Sequence, residues 1–179
     1  MTHPLLLWIV PVVVSLLAAA IDFRTGRIPN WLTFPAMVVG LAEASAVHGV
    51  AGFTHALLGL LLCGAVPWLL HRFSGGQAIG GGDVKLFAAL GAFGGATIGL
   101  EIEFSSFAVL AVFALVQLAF RGQLLIVLGN VMRILLRPFR RFDARAPLSP
   151  ASMTEMRMGP AIAVAVLTVA LTEWLPWIA

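Results

Sequence analysis

Residues 80–100 read GGGDVKLFAALGAFGGATIGL. From Val84 to Leu100 the stretch is apolar apart from Lys85 and Thr97. A helix crosses a bilayer with about 17–25 such residues, so this run is long enough to span. Its front end has a different chemistry. Gly80, Gly81 and Gly82 allow unusual dihedrals and close backbone approach, and Asp83 then opens the helix. An ionisable group set against an apolar span is costly, which makes it a functional candidate by default.

Working outward, five more runs of this kind appear: Leu5–Ile21, Trp31–Val47, Phe53–Leu70, Phe104–Phe120 and Met158–Trp174. Only Glu101, Ile102 and Glu103 separate the fourth run from the fifth. The composition agrees, with 179 residues that are 60% apolar and 11% charged. Soluble domains carry about 45–50% and about 25%. Mean hydropathy is +1.01. A water-soluble fold of this size could not hide that much apolar surface. The expectation is an all-α polytopic membrane protein, one membrane-embedded domain over 1–179, with six transmembrane helices. No cleavable signal peptide is expected, because the run from Leu5 has no basic residues before it.

The net charge is +3. Nucleic acid is not the expected partner, because the basic residues are few and flank the apolar runs. Alternating the spans puts the Arg24–Arg27 loop, the 71–83 loop and the 121–157 segment on one side. All 11 Lys and Arg then lie on or beside that side, and Glu101, Glu103 and Glu173 fall on the other. The positive-inside rule makes the basic side cytoplasmic. Within 121–157, Arg133, Arg137, Arg140 and Arg141 recur at helical spacing among leucines and valines. This predicts an amphipathic interfacial helix on anionic membrane lipid.

Cys63 is the single cysteine, so neither an internal disulfide nor a cysteine-cluster zinc site is possible. His48 and His55 flank an outer loop with too few ligands for a metal, and no metal or cofactor is expected. Glu43 lies about 18 Å along its helix from Trp31, far from Asp83 and nearer the outer face. Gly91, Gly95 and Gly99 form a small-residue stripe that reads as a helix-packing face.

Asp22 closes the first span and Asp83 opens the fourth, at the same depth on the same side. Taken singly, Asp22 could be salt-bridged to Arg24 or Arg27, and Asp83 could be a plain N-cap. Together they suit acid–base hydrolysis. One carboxylate takes a proton from water while the other, protonated, polarises a carbonyl, and proximity keeps both from being charged cheaply. The helix dipole would favour a charged Asp83 at a helix N-terminus, leaving the shared proton on Asp22.

Gly80-x-Gly82-Asp83 resembles the GxGD motif of intramembrane aspartic proteases. Asp22-x-Arg24 followed by Ile28-Pro29-Asn30 resembles the first aspartate motif of the type IV prepilin peptidases, as do Lys85 and Met158-Gly159-Pro160. The resemblance runs through nearly the whole chain in order and spacing. It implies catalysis by Asp22 and Asp83, supported by Gly80, Gly82, Lys85, Arg24, Pro29, Asn30, Gly159 and Pro160. It implies an inner-membrane enzyme that cuts the basic leader of a prepilin or pseudopilin precursor at the cytoplasmic face. The chain looks like the short form, as with tight-adherence (Flp-type) pili or archaeal preflagellin peptidases, without the cysteine-bearing methyltransferase region. From another class, a small proton- or cation-coupled transporter would use the same two acids, but broken helices and mid-membrane acids would then be expected.

Overall fold

The computed structural model describes residues 4–76, 79–122, 129 and 158–178. Over these residues the regular structure is helical: α1 (Pro4–Thr25), α2 (Asn30–Phe73), α3 (Gly81–Phe120) and α4 (Gly159–Ile178). α1, α2 and α3 are each long and apolar enough to cross a membrane. The amphipathic helix expected around Arg133 to Arg141 lies outside the described residues.

α2 has 44 residues and α3 has 40. Drawn straight, each would be about twice the length that a 30 Å hydrocarbon core requires. Neither is straight. Gly49 (φ 61°, ψ −141°) and Gly95 (φ 67°, ψ −169°) leave the helical region. A Cβ on Gly52 would run into the Ala44 carbonyl, and one on Gly99 would lie 2.9 Å from Gly91 Cα. Residues eight apart in a straight helix are separated by about 12 Å, so the chain doubles back at both glycines.

The reversal at Gly49 falls where the second span was expected to end. The reversal at Gly95 corrects the sequence reading in two ways. The break between the fourth and fifth spans is not at Glu101–Glu103, and Gly91, Gly95 and Gly99 are not a stripe on one straight helix. Gly95 is the turn, and Gly91 and Gly99 pack on each other across it. Glu103 is therefore not in an outer loop. It lies two turns back along the returning helix, 3% exposed, while Glu101 is exposed. Hydropathy cannot mark a turn whose residues are as apolar as the helices around it, and only a glycine adopts positive φ there without strain. For this reason Gly95→Ala should be destabilising. A backbone of positive φ with ψ near 180° is essentially restricted to glycine and costs other residues about 1–3 kcal/mol, and the new methyl overlaps the His55 ring. A thermal melt in detergent should show a clear drop, and an unchanged melt would mean that Gly95 does not hold this turn.

The chain divides into two compact units, Met1–Leu110 with Arg157–Ala179, and Ala111–Met156. The second is described only over the last part of α3, the turn at Arg121 and Gly122, and residue 129. In the first, α1 packs along α4 and against α2. Val14 and Ala18 of α1, Leu32 and Ala36 of α2, Leu86, Phe87 and Leu90 of α3, and Ile162 and Val166 of α4 form its core. α2 meets α3 through small residues. A Cβ on Gly40 would sit 3.0 Å from Ala92 Cβ, and one on Gly59 would overlap the Gly91 carbonyl. Small residues let membrane helices approach backbone to backbone. The outward faces are apolar as well: Val38 is 65% exposed and Phe104 is 73%. That suits lipid rather than water.

Candidate active site

Three helix ends converge in the first unit. Asp22 lies in the last turn of α1 and Asp83 in the first turn of α3, and both are buried. They are close enough for the charge of Asp22 to act on Asp83. Gly159 opens α4 beside them, with its backbone N–H donating to Asp22 Oδ2 at 3.1 Å.

The sequence around each residue explains its position. The Gly80 carbonyl accepts from Asp83 N at 3.1 Å and Val84 N at 3.3 Å, so Gly80 caps α3 and Asp83 is its third residue, not the cap. The Asp83 carboxyl reaches back to accept a hydrogen bond from the Gly80 backbone N–H. This is the acidic arm of a capping box. Asp83 Oδ1 is left buried without a partner. On α4, the Met158 carbonyl accepts from Ile162 N, which makes Met158 the cap and leaves the Gly159 N–H without a partner inside the helix. Pro160 brings no N–H of its own and suits a first turn. The free N–H turns to Asp22. Both aspartates thus face a helix N-terminus, and the dipole argument that assigned the shared proton to Asp22 no longer separates them.

The glycines of the motif have unequal roles. A Cβ on Gly82 would lie 2.9 Å from Ile28 Cβ and 3.1 Å from the Ile28 carbonyl oxygen. A Cβ on Gly80 would meet Asp83 Oδ2 at 2.9 Å. Gly81, between them, would meet only the His71 ring, at 3.8 Å. The third position therefore requires glycine, a side chain at the first would displace the Asp83 carboxyl, and the middle one tolerates a side chain.

The remaining candidates fall on two sides of the pair. Lys85 Nζ donates to Asn30 Oδ1 at 2.7 Å and lies 5.4 Å from the Phe34 ring centroid. Among the described residues it makes no ion pair with either aspartate. Pro29 is the extended N-cap of α2 (φ −77°, ψ 147°), and its carbonyl accepts from Leu32 N and Thr33 N. Arg24 and Arg27 are exposed, and among the described residues neither forms an ion pair with Asp22. The salt-bridge reading of Asp22 thus gives way to a backbone hydrogen bond. No group of three or more His, Cys, Asp or Glu that could hold a metal ion occurs among the described residues.

Residues 9–118 match the sequence profile of the type IV leader peptidase family. The chain belongs to the type IV leader peptidase family. A prepilin leader peptidase/N-methyltransferase of Klebsiella pneumoniae is 39% identical over 93 residues, 50% of this chain and 41% of that protein. Its counterpart in Burkholderia pseudomallei is 40% identical over 81 residues, 42% of this chain and 25% of that protein. The chain thus spans less than half the length of these relatives. No solved structure matches it.

Two residues beside this site were not singled out in the sequence. His71 Nδ1 is 2.7 Å from the Ile79 carbonyl oxygen and ties the end of α2 to the glycine loop. Phe34, under Lys85, lies one turn after Asn30 on α2, and that i,i+4 spacing is the signal that could have found it. Glu43 stands apart, half-buried in the wall of a cavity of about 630 Å³ shared with His48 and His55, which contains neither aspartate.

The Lys85–Asn30 bond fixes the start of α2 to the start of α3. Hydrogen bonds to charged groups are worth about 1.5–3 kcal/mol, less where water competes, as at this exposed pair. A double-mutant cycle of Lys85→Met and Asn30→Ala, read by thermal melts, should show a coupling of about 1 kcal/mol. Strict additivity would mean that the bond contributes nothing.

Proposed function

We propose that this chain is a membrane aspartic endopeptidase that removes the leader from type IV prepilin-like precursors, Flp-type pilins or pseudopilins, at the cytoplasmic membrane face. The observation that carries the reading is the pairing of Asp22 and Asp83 from two helix ends, each with a backbone N–H on its carboxyl. The two glycine amides orient the carboxyls, and the unpartnered Asp83 Oδ1 is free to meet water or the scissile carbonyl. One carboxylate removes a proton from the attacking water. The other, protonated, hydrogen-bonds the carbonyl oxygen as the tetrahedral intermediate forms, and the proton taken from water then goes to the leaving amine. Lys85, Asn30 and Pro29 hold the α1–α2 loop against α3, and Arg24 faces the headgroup region.

In this reading the segments before and after Gly49, and before and after Gly95, are separate spans. With α1 and α4 they make six, in one membrane-embedded domain over 1–179 in the plasma membrane. Arg24, Arg27 and Arg72 then share the cytoplasmic side with the aspartates. A transporter reading gains nothing from the site, because its two acids sit at helix ends rather than at broken mid-membrane helices.

The decisive test is cleavage of a purified prepilin by the purified chain in detergent, with the new N-terminus read by mass spectrometry. A precursor left intact under conditions where a known prepilin peptidase cuts it would overturn the reading. Activity should survive chelators, and Cys63→Ala should cut at near the wild-type rate. Loss in EDTA restored by zinc would instead indicate metal-dependent hydrolysis. Ala144→Cys, made in the Cys63→Ala background, should react with an impermeant thiol reagent only from the cytoplasmic side. Labelling from the periplasmic side would invert the orientation.

A further inference from the structure

The cavity of about 630 Å³ beside Glu43 takes no part in the aspartate site. Both chain reversals frame it. His48 and Ala51 line it from either side of Gly49, and Gly94 and Ile98 from either side of Gly95. At 1.5 Å per residue, Glu43 lies about 20 Å along α2 from Asn30, and Gly94 about 16 Å along α3 from Asp83. Against a hydrocarbon core of about 30 Å, the cavity belongs to the half of the membrane away from the aspartates.

Its walls are graded. Trp8, Leu90 and Ile102 are buried and make an apolar floor. Val47, His48 and His55 are exposed and make the rim, with half-buried Glu43 between. Among the described residues, neither the Glu43 carboxyl nor the ring of His48 or His55 has a hydrogen-bond or ion-pair partner. A carboxylate within a span is costly until something pairs with it. The three side chains do not form a group that could hold one metal ion, so a ligand that meets all of them is extended.

We infer that this cavity binds an ethanolamine phospholipid of the leaflet away from the aspartates, with its ammonium on Glu43, its phosphate on His48 and His55, and an acyl chain along Trp8, Leu90 and Ile102. This goes beyond leader cleavage and needs only that the chain sits in a membrane. Charge selects the headgroup. An ammonium brings a positive charge and three N–H donors to a carboxylate that only accepts, and a neutral imidazole keeps one N–H to give to phosphate. A choline headgroup has no N–H, and a glycerol headgroup has no cation. The volume falls within the range of about 300–1,000 Å³ typical of small-ligand sites, room for the headgroup and the first part of a chain.

The test is native mass spectrometry of the purified chain in detergent, titrated with the dioleoyl forms of phosphatidylethanolamine, phosphatidylcholine and phosphatidylglycerol. Phosphatidylethanolamine should bind about tenfold more tightly than either of the others, the size of one charge-assisted hydrogen bond. Glu43→Gln should bring the three lipids within about twofold of one another. Glu101→Gln, at an exposed acid outside the cavity, should keep the preference. Glycerophosphoethanolamine, the same headgroup without chains, should compete only at about a hundredfold higher concentration, because it buries no apolar surface. The inference is overturned if wild type binds the three lipids equally, or if Glu43→Gln keeps the preference. It is also overturned if the chain-free headgroup competes as well as the lipid, which would make the ligand a soluble phosphoamine. The wild-type lipid series decides the matter even if Glu43→Gln fails to fold. The measurement needs no cleavage, so a chain that cuts no prepilin would refute leader cleavage and leave this result standing.

Discussion

Asp22→Asn and Asp83→Asn should each abolish leader cleavage, by about 10⁴-fold or more, while the protein still folds. Groups that act as a unit in catalysis lose nearly the whole effect when either is removed. An amide in place of Asp22 can still accept from the Gly159 N–H, and one in place of Asp83 can still accept from the Gly80 N–H. Thermal melts should therefore stay close to wild type, which separates catalysis from folding. The double variant should be no slower than either single one. Substantial turnover by either Asn variant would rule out the paired-carboxylate mechanism.

The second large effect is expected at Gly159. A methyl there would lie 2.8 Å from both Asp22 Cβ and Asp22 Oδ2, closer than real Cβ atoms approach. Either α4 or the catalytic side chain must move. Overpacking of this kind costs about 1–3 kcal/mol of stability. The catalytic loss is larger, since a displacement of about 1 Å at a reacting group can cost about 10²-fold. Gly159→Ala is thus expected to fold, to melt somewhat lower, and to cleave about a hundredfold more slowly. Gly81→Ala is the matched control, because a Cβ there meets only the His71 ring at an ordinary distance. Equal rates for the two variants would mean that the contact between α4 and Asp22 has no part in positioning the carboxyl.

Much of this protein was legible before its structure. Membership of the type IV leader peptidase family was readable in Asp22, in Gly80-x-Gly82-Asp83 and in Met158-Gly159-Pro160, because these motifs are local in sequence. The reversal near Gly49 was legible too, since His48 and Gly49 interrupt the apolar pattern. Pairing of the two aspartates followed from counting spans, which gave them one depth on one side. The partners of each carboxyl were not legible. The Gly159 N–H reaches Asp22 across 137 positions of sequence, and Asn30 reaches Lys85 across 55. No periodicity encodes such a match.

The sequence by itself determined that the chain is helical and apolar on its outward faces, and that two carboxylates stand at helix ends. Those properties depend on side-chain transfer free energies and helix periodicity, which are additive along a segment. Only the tertiary structure decided where the run from Val84 to Phe120 turns. Every residue from Phe87 to Leu100 is compatible with an apolar helix, so the turn is chosen by packing. Gly91, Gly95 and Gly99 allow the chain to close on itself and on Gly59 of α2 at backbone distance. That choice, invisible to hydropathy, moved Glu103 from an outer loop to a buried position on the returning helix.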